Sequence, residues 1–367
     1  MKLRRLTGLL LSLVLLFCTG CSQSAAPRSA PSPTAEEQAL SSPPEASAEA
    51  PSNQQAEETV SAEKNAPAPA QEASFTLCAY LPVSSMTQGA AAVAEEYAGS
   101  IAALDYLVLN TGAYWDENGT LSLSDELLDA IETLQGKTAL WCTVNPQGAL
   151  IREGTAGQSI DSPQERQALA QEIAAFAEQY GLAGIDIDWE FPLDDEWEDF
   201  STFLITLKDT LSRNSEPVAL SLALYPEEIA LSEEAIAALD RIHVMAYDQF
   251  DSEGFHSTMQ AAEDAVAYFT ALGASPQQLV LGIPAYGRPL DGSAQWVFYK
   301  DIDPESFSGE NPDLVGDISF NSAATAAQKT QYALEQNLGG VMVYQLLCDR
   351  NDQDALILAC ANMAKNA

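Results

Sequence analysis

The densest chemistry in this chain stands in one short run, Ala183-Gly184-Ile185-Asp186-Ile187-Asp188-Trp189-Glu190. Side chains alternate faces along a strand, so Asp186, Asp188 and Glu190 share one face while Ile185, Ile187 and Trp189 take the other. The isoleucines require a buried strand, and three carboxylates in file inside a low-dielectric interior repel one another. At least one must then have its pKa raised and keep its proton near neutrality. A proton held on a buried carboxyl is the setting general acid catalysis requires. A metal site is the weaker reading, because no histidine accompanies the run and divalent ions are more often gripped by ligands from several loops.

Such a strand needs a scaffold that turns one of its faces into a shared interior. From Ser74 onward, short β-rich runs alternate with amphipathic helical stretches. Strands are expected over 75–81, 104–110, 138–144, 184–190, 218–224, 241–247, 279–284 and 340–346. The spacing predicts a helix over Pro163–Tyr180, with Leu169, Ile173, Phe176 and Tyr180 at helical intervals behind a Ser162 cap and Glu165 three residues on. Another is expected over Asp125–Leu134, with Gly136 just past its end. Eight βα units over about 290 residues predict an α/β fold, a (β/α)8 TIM barrel with its functional groups at the C-terminal strand ends. A doubly wound open sheet is the alternative.

On these motifs the sequence resembles glycoside hydrolase family 18, the chitinase-like enzymes, whose fourth strand reads D-G-x-D-x-D-x-E. Met245-Ala246-Tyr247-Asp248 is similar to the family's M-x-Y-D, and Gly282-Ile283-Pro284-Ala285-Tyr286-Gly287-Arg288 to its G-x-P-x-Y-G-R. Gly339-Gly340-Val341-Met342-Val343-Tyr344 resembles G-G-x-M-x-W, followed at the family's spacing by Asp349. The resemblance implies substrate-assisted hydrolysis of β-1,4-linked, N-acetylglucosamine-containing glycans, with no cofactor. In that scheme the sugar's 2-acetamido oxygen attacks its own anomeric carbon. Glu190 would be the acid and later the base. Asp188 would orient the acetamido N–H, with Asp186 behind it sharing a proton, and Tyr247 would donate its hydroxyl to the acetamido group. Asp248 would support the same pocket.

Departures from the family pattern concern the walls. Ala183 replaces the motif's first aspartate, read as a deeper position on the inward face, where its loss would remove a supporting hydrogen bond. Tyr344 replaces the tryptophan that floors the cleaved sugar's subsite. Strand three, Trp141-Cys142-Thr143-Val144-Asn145, lacks S-x-G-G, and Ala79-Tyr80 stands where Gly-Tyr is common. About 35 residues separate Gly287 from the next helix, too few for the family's α+β insertion, so the cleft is expected to be shallow and open. Tyr80, Tyr114, Trp115, Tyr225 and Tyr286 fall near strand ends, where rings stack on sugars, whereas Trp189 faces the helices.

Composition excludes other classes. With 53 acidic against 16 basic residues the net charge is −37, which argues against nucleic acid as a partner. No apolar run reaches the roughly 18 to 20 residues of a bilayer span, so a polytopic membrane protein is excluded. Lys2, Arg4 and Arg5 precede an apolar stretch that ends at Cys18-Thr19-Gly20-Cys21, which resembles the lipobox of bacterial lipoproteins. Residues 1–21 thus read as an export signal with Cys21 as the lipidation site, anchoring the protein at the outer face of the bacterial cell membrane. Residues 22–73 hold 14 alanines, 9 serines and 8 prolines with no aromatic, a disordered tether. Residues 74–367 are the barrel, expected to act as a monomer.

Cys78, Cys142, Cys348 and Cys360 match no staple framework and read as buried free thiols. The acidic stretch from Asp349 to Asp354 lacks the glycine and terminal glutamate of a calcium loop and reads as the cap of the last helix. Asn118-Gly119-Thr120 is an incidental sequon in an exported bacterial-type chain. Two other functions fit the same motifs: a non-catalytic carbohydrate-binding lipoprotein, and a peptidoglycan- or N-glycan-cleaving N-acetylglucosaminidase.

Overall fold

The protein is described by a computed structural model over residues 74–303 and 311–367. The export signal, Cys21 and the 22–73 tether lie outside the described residues. Eight parallel strands form the central sheet: β1 (Thr76–Pro82), β2 (Tyr106–Trp115), β3 (Ala139–Pro146), β4 (Gly184–Ile187), β5 (Ala219–Leu224), β6 (Arg241–Val244), β7 (Leu279–Pro284) and β8 (Gly340–Tyr344). Each pairs with its neighbour in sequence, and β8 pairs back to β1 from Thr76 against Gly340 to Ala79 against Val343. That last ladder closes a (β/α)8 barrel and rules out the open sheet.

All eight expected strands are present. Three differ most at their ends: β2 runs on to Trp115 across an irregularity between Leu109 and Ala113, β4 stops at Ile187 and β6 stops at Val244. Asp188 and Glu190 therefore stand beyond the ladder, at the C-terminal mouth where barrel loops begin. The helices form as their caps dictate. Ser162 accepts the Glu165 N–H while the Glu165 carboxylate accepts the Ser162 N–H, and Pro163–Tyr180 then runs to Gly181 in the left-handed conformation. Ser124, Ser232, Thr258 and Ser322 cap four further helices with the same side-chain acceptor.

Two cores result from the alternation. Outward side chains such as Leu107, Ile185, Ile187 and Leu281 pack against the helices. Inward ones, among them Cys78, Tyr80, Tyr106, Val108, Trp141, Met245, Tyr247 and Met342, fill the barrel. This interior is aromatic and hydrogen-bonding rather than branched aliphatic, which equips it to hold charge. Among the described residues, Cys78, Cys142, Cys348 and Cys360 are free and buried. Asp349 accepts the backbone N–H of Leu356 and of Ile357, capping the last helix.

After β7 the chain builds a small antiparallel sheet in which Tyr286–Pro289 lies between Val297–Phe298 and Ile318–Ser319, with Leu314–Val315 outermost. The roughly 35 residues after Gly287, too few for an α+β insertion, form this short excursion instead. On β4, Gly184 lies under the indole of Trp141, and a Cβ there would sit 2.2 Å from that ring. Gly184→Ala is therefore expected to destabilise the barrel by about 1–3 kcal/mol, the usual cost of overpacking. A urea melt with an unchanged midpoint would show that Trp141 yields freely.

Candidate active site

Asp186 is fully buried at the centre of the barrel, and every hydrogen bond it makes requires it to accept. Its Oδ2 takes the Tyr80 hydroxyl at 2.8 Å and Thr143 at 3.4 Å, and its Oδ1 takes Ser221 at 2.5 Å. His243 Nδ1 lies 3.2 Å from Oδ1 and 2.6 Å from the Tyr80 hydroxyl, with the Tyr106 hydroxyl 2.9 Å from Nε2. With Tyr80 donating to Asp186, the imidazole is satisfied as the Nδ1–H tautomer, accepting from Tyr106. One step up the strand the donors are fewer.

That step is Asp188. Its backbone N–H donates to Asn145 Oδ1 at 2.7 Å, which pins the chain where β4 ends. Its carboxyl pKa stands well above the usual range, first from burial, then from the charges of Glu190 and Asp186, and also from the hydrogen bond it gives Glu190. Glu190 is raised too, chiefly by its walled position, against a lowering hydrogen bond from Asp188, and further by the charge of Asp248. Its side chain nevertheless reaches solvent in the cleft, whereas Asp188 Oδ1 is sealed off and has no partner among the described residues. Both carboxyls are thus pushed toward the protonated form, Asp188 by burial together with two neighbouring charges.

Asp248 shows the opposite shift. Burial alone would raise its pKa, but the hydrogen bond from Tyr286 and the Arg288 guanidinium hold it below the usual range. Tyr286 donates to Oδ2 at 2.8 Å and Arg288 donates to Oδ1. The backbone of Asp248 is left-handed at φ 58°, and its N–H donates to His256 Nε2 at 3.0 Å. His256 is buried and its pKa is lowered first by desolvation, so a neutral ring is available to accept. Beside it Tyr247 stacks on Tyr344, with centroids 5.3 Å apart and planes at 23°. Burial, with Tyr344, Asp188 and Glu190 nearby, raises the Tyr247 pKa and keeps its hydroxyl a donor. Gly282 makes room for it, since a Cβ there would lie 2.8 Å from the Tyr247 ring.

Comparison with known proteins assigns the lineage of this geometry. The family model described as glycosyl hydrolases family 18 matches residues 76–349, the whole barrel through Asp349. The chain belongs to that family. It is similar to a probable chitinase 2 of Drosophila melanogaster, 27% identical over 190 residues that make up 46% of this chain and 39% of the relative. It is also similar to an endochitinase 1 of Metarhizium robertsii, 24% identical over 54% of this chain and 59% of that one. The matches thus span about half the length of these relatives. Among solved structures, a chitinase from Bacteroides thetaiotaomicron shares the fold at TM-score 0.66 and 21% identity, covering 79% of this chain and 96% of that one.

Within this family 18 barrel, Asp188, Glu190, Tyr247, Asp248 and Tyr344 come together at the mouth, above the buried Asp186. Three expected sugar-stacking rings do not face it freely. Trp115 is fully buried in the outer core, edge-on to Trp189 at 6.2 Å, because parity along β2 turns it toward the helices. Its neighbour Tyr114 is the ring that faces the site, close enough for the charge of Asp188 to raise its pKa after burial. Tyr80 and Tyr286 are buried beneath the cleft, where their hydroxyls position Asp186 and Asp248. Tyr225 lies at the rim near Asp248. Trp189 packs in the core as expected.

Ala183 also differs from its expected place. It lies three residues before Asp186, so parity excludes the inward face, and its side chain is exposed. Support for Asp186 comes instead from Thr143, Ser221 and His243, with Asn145 serving Asp188, residues that sequence reading missed. Their signal was inward parity on β3, β5 and β6. Glu196 was missed as well: it accepts the N–H of Gly157 and of Leu193, tying the loop after Glu190 to the loop after β3 beside a cavity of about 360 Å³.

The charge on Asp248 makes the Glu190 shift testable. A like charge raises a carboxyl pKa, so Asp248→Asn should lower that of Glu190. The alkaline limb of kcat/KM against pH should then move to lower pH, with loss of activity beginning earlier as pH rises. A limb that stays in place would mean that Asp248 does not tune the acid.

Proposed function

We propose that the protein is a glycosidase that hydrolyses the β-1,4 linkages of N-acetylglucosamine-containing glycans, of chitin or chitooligosaccharide type, by substrate-assisted retaining catalysis. The observation that carries this reading is the sealed and unpartnered Asp188 Oδ1, flanked by Glu190 and the Tyr247 hydroxyl, with the pKa values of all three groups raised. A buried acceptor without a partner is costly, and an acetamido N–H would satisfy it. When Asp188 takes that N–H, its proton passes to Glu190, which gives it to the departing glycosidic oxygen. The C1–O bond breaks as the acetamido oxygen closes on C1, and the Asp188 carboxylate balances the positive oxazolinium. Glu190, now ionised, takes a proton from water, whose oxygen attacks C1 and reopens the ring. Two inversions leave the configuration retained.

Glu190→Gln keeps the shape but gives no proton, so turnover of chitooligosaccharides should fall by at least about a hundredfold while binding survives. De-N-acetylated oligomers should not be cleaved, since they lack the internal nucleophile. Product analysis on chitooligosaccharides, peptidoglycan and a high-mannose glycopeptide decides the substrate. Cleavage of peptidoglycan or the glycopeptide alone would replace the chitin-type substrate, and binding without any cleavage would replace the enzyme with a carbohydrate-binding protein.

We infer further that the protein is exported and held as a monomer at the outer face of the bacterial cell membrane through lipidated Cys21, with 22–73 as its tether. The charged and apolar start followed by Cys18-Thr19-Gly20-Cys21 supports this. Wild-type protein should partition into detergent with the membrane fraction and Cys21→Ala should be released. Equal partitioning of the two would overturn the anchor.

A further inference from the structure

Trp296 lies in the excursion after β7, outside every motif that located the carboxylates. Its indole stacks on Tyr286 with centroids 3.8 Å apart and planes 5° apart, and it stands edge-on to Tyr344 at 6.3 Å and 81°. Tyr344 stacks on Tyr247, which meets Tyr286 edge-on at 6.4 Å. The rings of Tyr247, Tyr286, Trp296 and Tyr344 thus form a closed circuit. Tyr286 is its buried member, fixed through its hydroxyl to Asp248. Trp296 is half-buried: one face is covered by Tyr286, and Tyr344 meets it edge-on.

A ring fixed on one face, exposed beyond it and perpendicular to the expected floor of a sugar subsite has the geometry of a wall. We propose that Trp296 is a substrate-binding residue that closes the side of the cleaved sugar's subsite at right angles to Tyr344, against an uncharged N-acetylhexosamine ring. It supplies from the excursion the indole area that tyrosine at position 344 does not supply from β8. The proposal rests on the hydrolase reading. It goes beyond it by placing part of sugar recognition on a segment that carries none of the motif residues.

The chain offers a selective probe. Of its five tryptophans, Trp115, Trp141, Trp189 and Trp197 are buried, which leaves Trp296 as the one open to a collisional quencher. In the Glu190→Gln full-length protein, chitotetraose should protect tryptophan emission from acrylamide, and in the added Trp296→Ala variant the protected component should be absent. In the active protein, Trp296→Ala should raise KM for chitotetraose about tenfold, the factor given by roughly 1.4 kcal/mol of lost contact. The same variant should keep kcat within about threefold, and Trp296→Phe should recover part of the loss. A purely structural role would instead lower the melting temperature and leave the quenching pattern unprotected. Binding of chitotetraose with Trp296 equally quenched, or an unchanged KM in a folded Trp296→Ala protein, overturns the wall alone. Should the wild type neither cleave nor bind any N-acetylglucosamine oligomer, the hydrolase reading falls and takes the wall with it.

Discussion

Asp186 sits fully buried in the middle of the barrel, where an unpaired charge would cost several kcal/mol. Its solvation is supplied by β1 through Tyr80, β3 through Thr143, β5 through Ser221 and β6 through His243. Half of the strands therefore turn a donor toward one carboxylate. Closing the barrel and solvating Asp186 are one event, because the four donors converge only when the strands are in register. The glycine at position 184 belongs to the same constraint, since it lets Trp141 cross beneath the carboxylate.

From that fixed point the environment changes stepwise along the chain. Asp186 is saturated with donors, Asp188 is half-buried with one oxygen sealed off and unpaired, and Glu190 reaches solvent. The strand ends at Ile187, so the three carboxyls occupy three different settings although they are spaced evenly in sequence. Burial first, then a like charge below Asp188 and one across the cleft from Glu190, raise the pKa values of the upper pair. Asp248 supplies the charge across the cleft because Arg288 and Tyr286 hold its pKa down against burial. Carboxyls pushed apart in pKa by their surroundings are what allow one site to hold and release a proton at the same pH.

Much of this was legible in the sequence because it depends on period. The eight β-rich runs gave the barrel, and the two-residue spacing of Asp186, Asp188 and Glu190 put them on one face. Parity also held the answer for Trp115 and Tyr114, adjacent residues of which only the second faces the site, but an aromatic near a strand end carries no mark of its depth. Tyr80 and Tyr286 illustrate this: each lies in a motif and near the cleft, yet each is covered and acts through its hydroxyl on a carboxylate. Trp296 carried no signal, since it stands in a run with neither strand nor helix periodicity and reaches Tyr286 and Tyr344 only through the folding of the excursion.

What the sequence determined by itself is the local alternation that fixes fold, strand order and the inward file of acids, because side-chain direction in a strand is set by the backbone. What only the tertiary structure decided is which acids have their pKa raised, which tyrosines are buried and where the indole stands. Those depend on distances between residues far apart in the chain, such as the 163 positions separating Tyr80 from His243. Electrostatic and packing energies follow such distances through space, and no pattern along the chain encodes them.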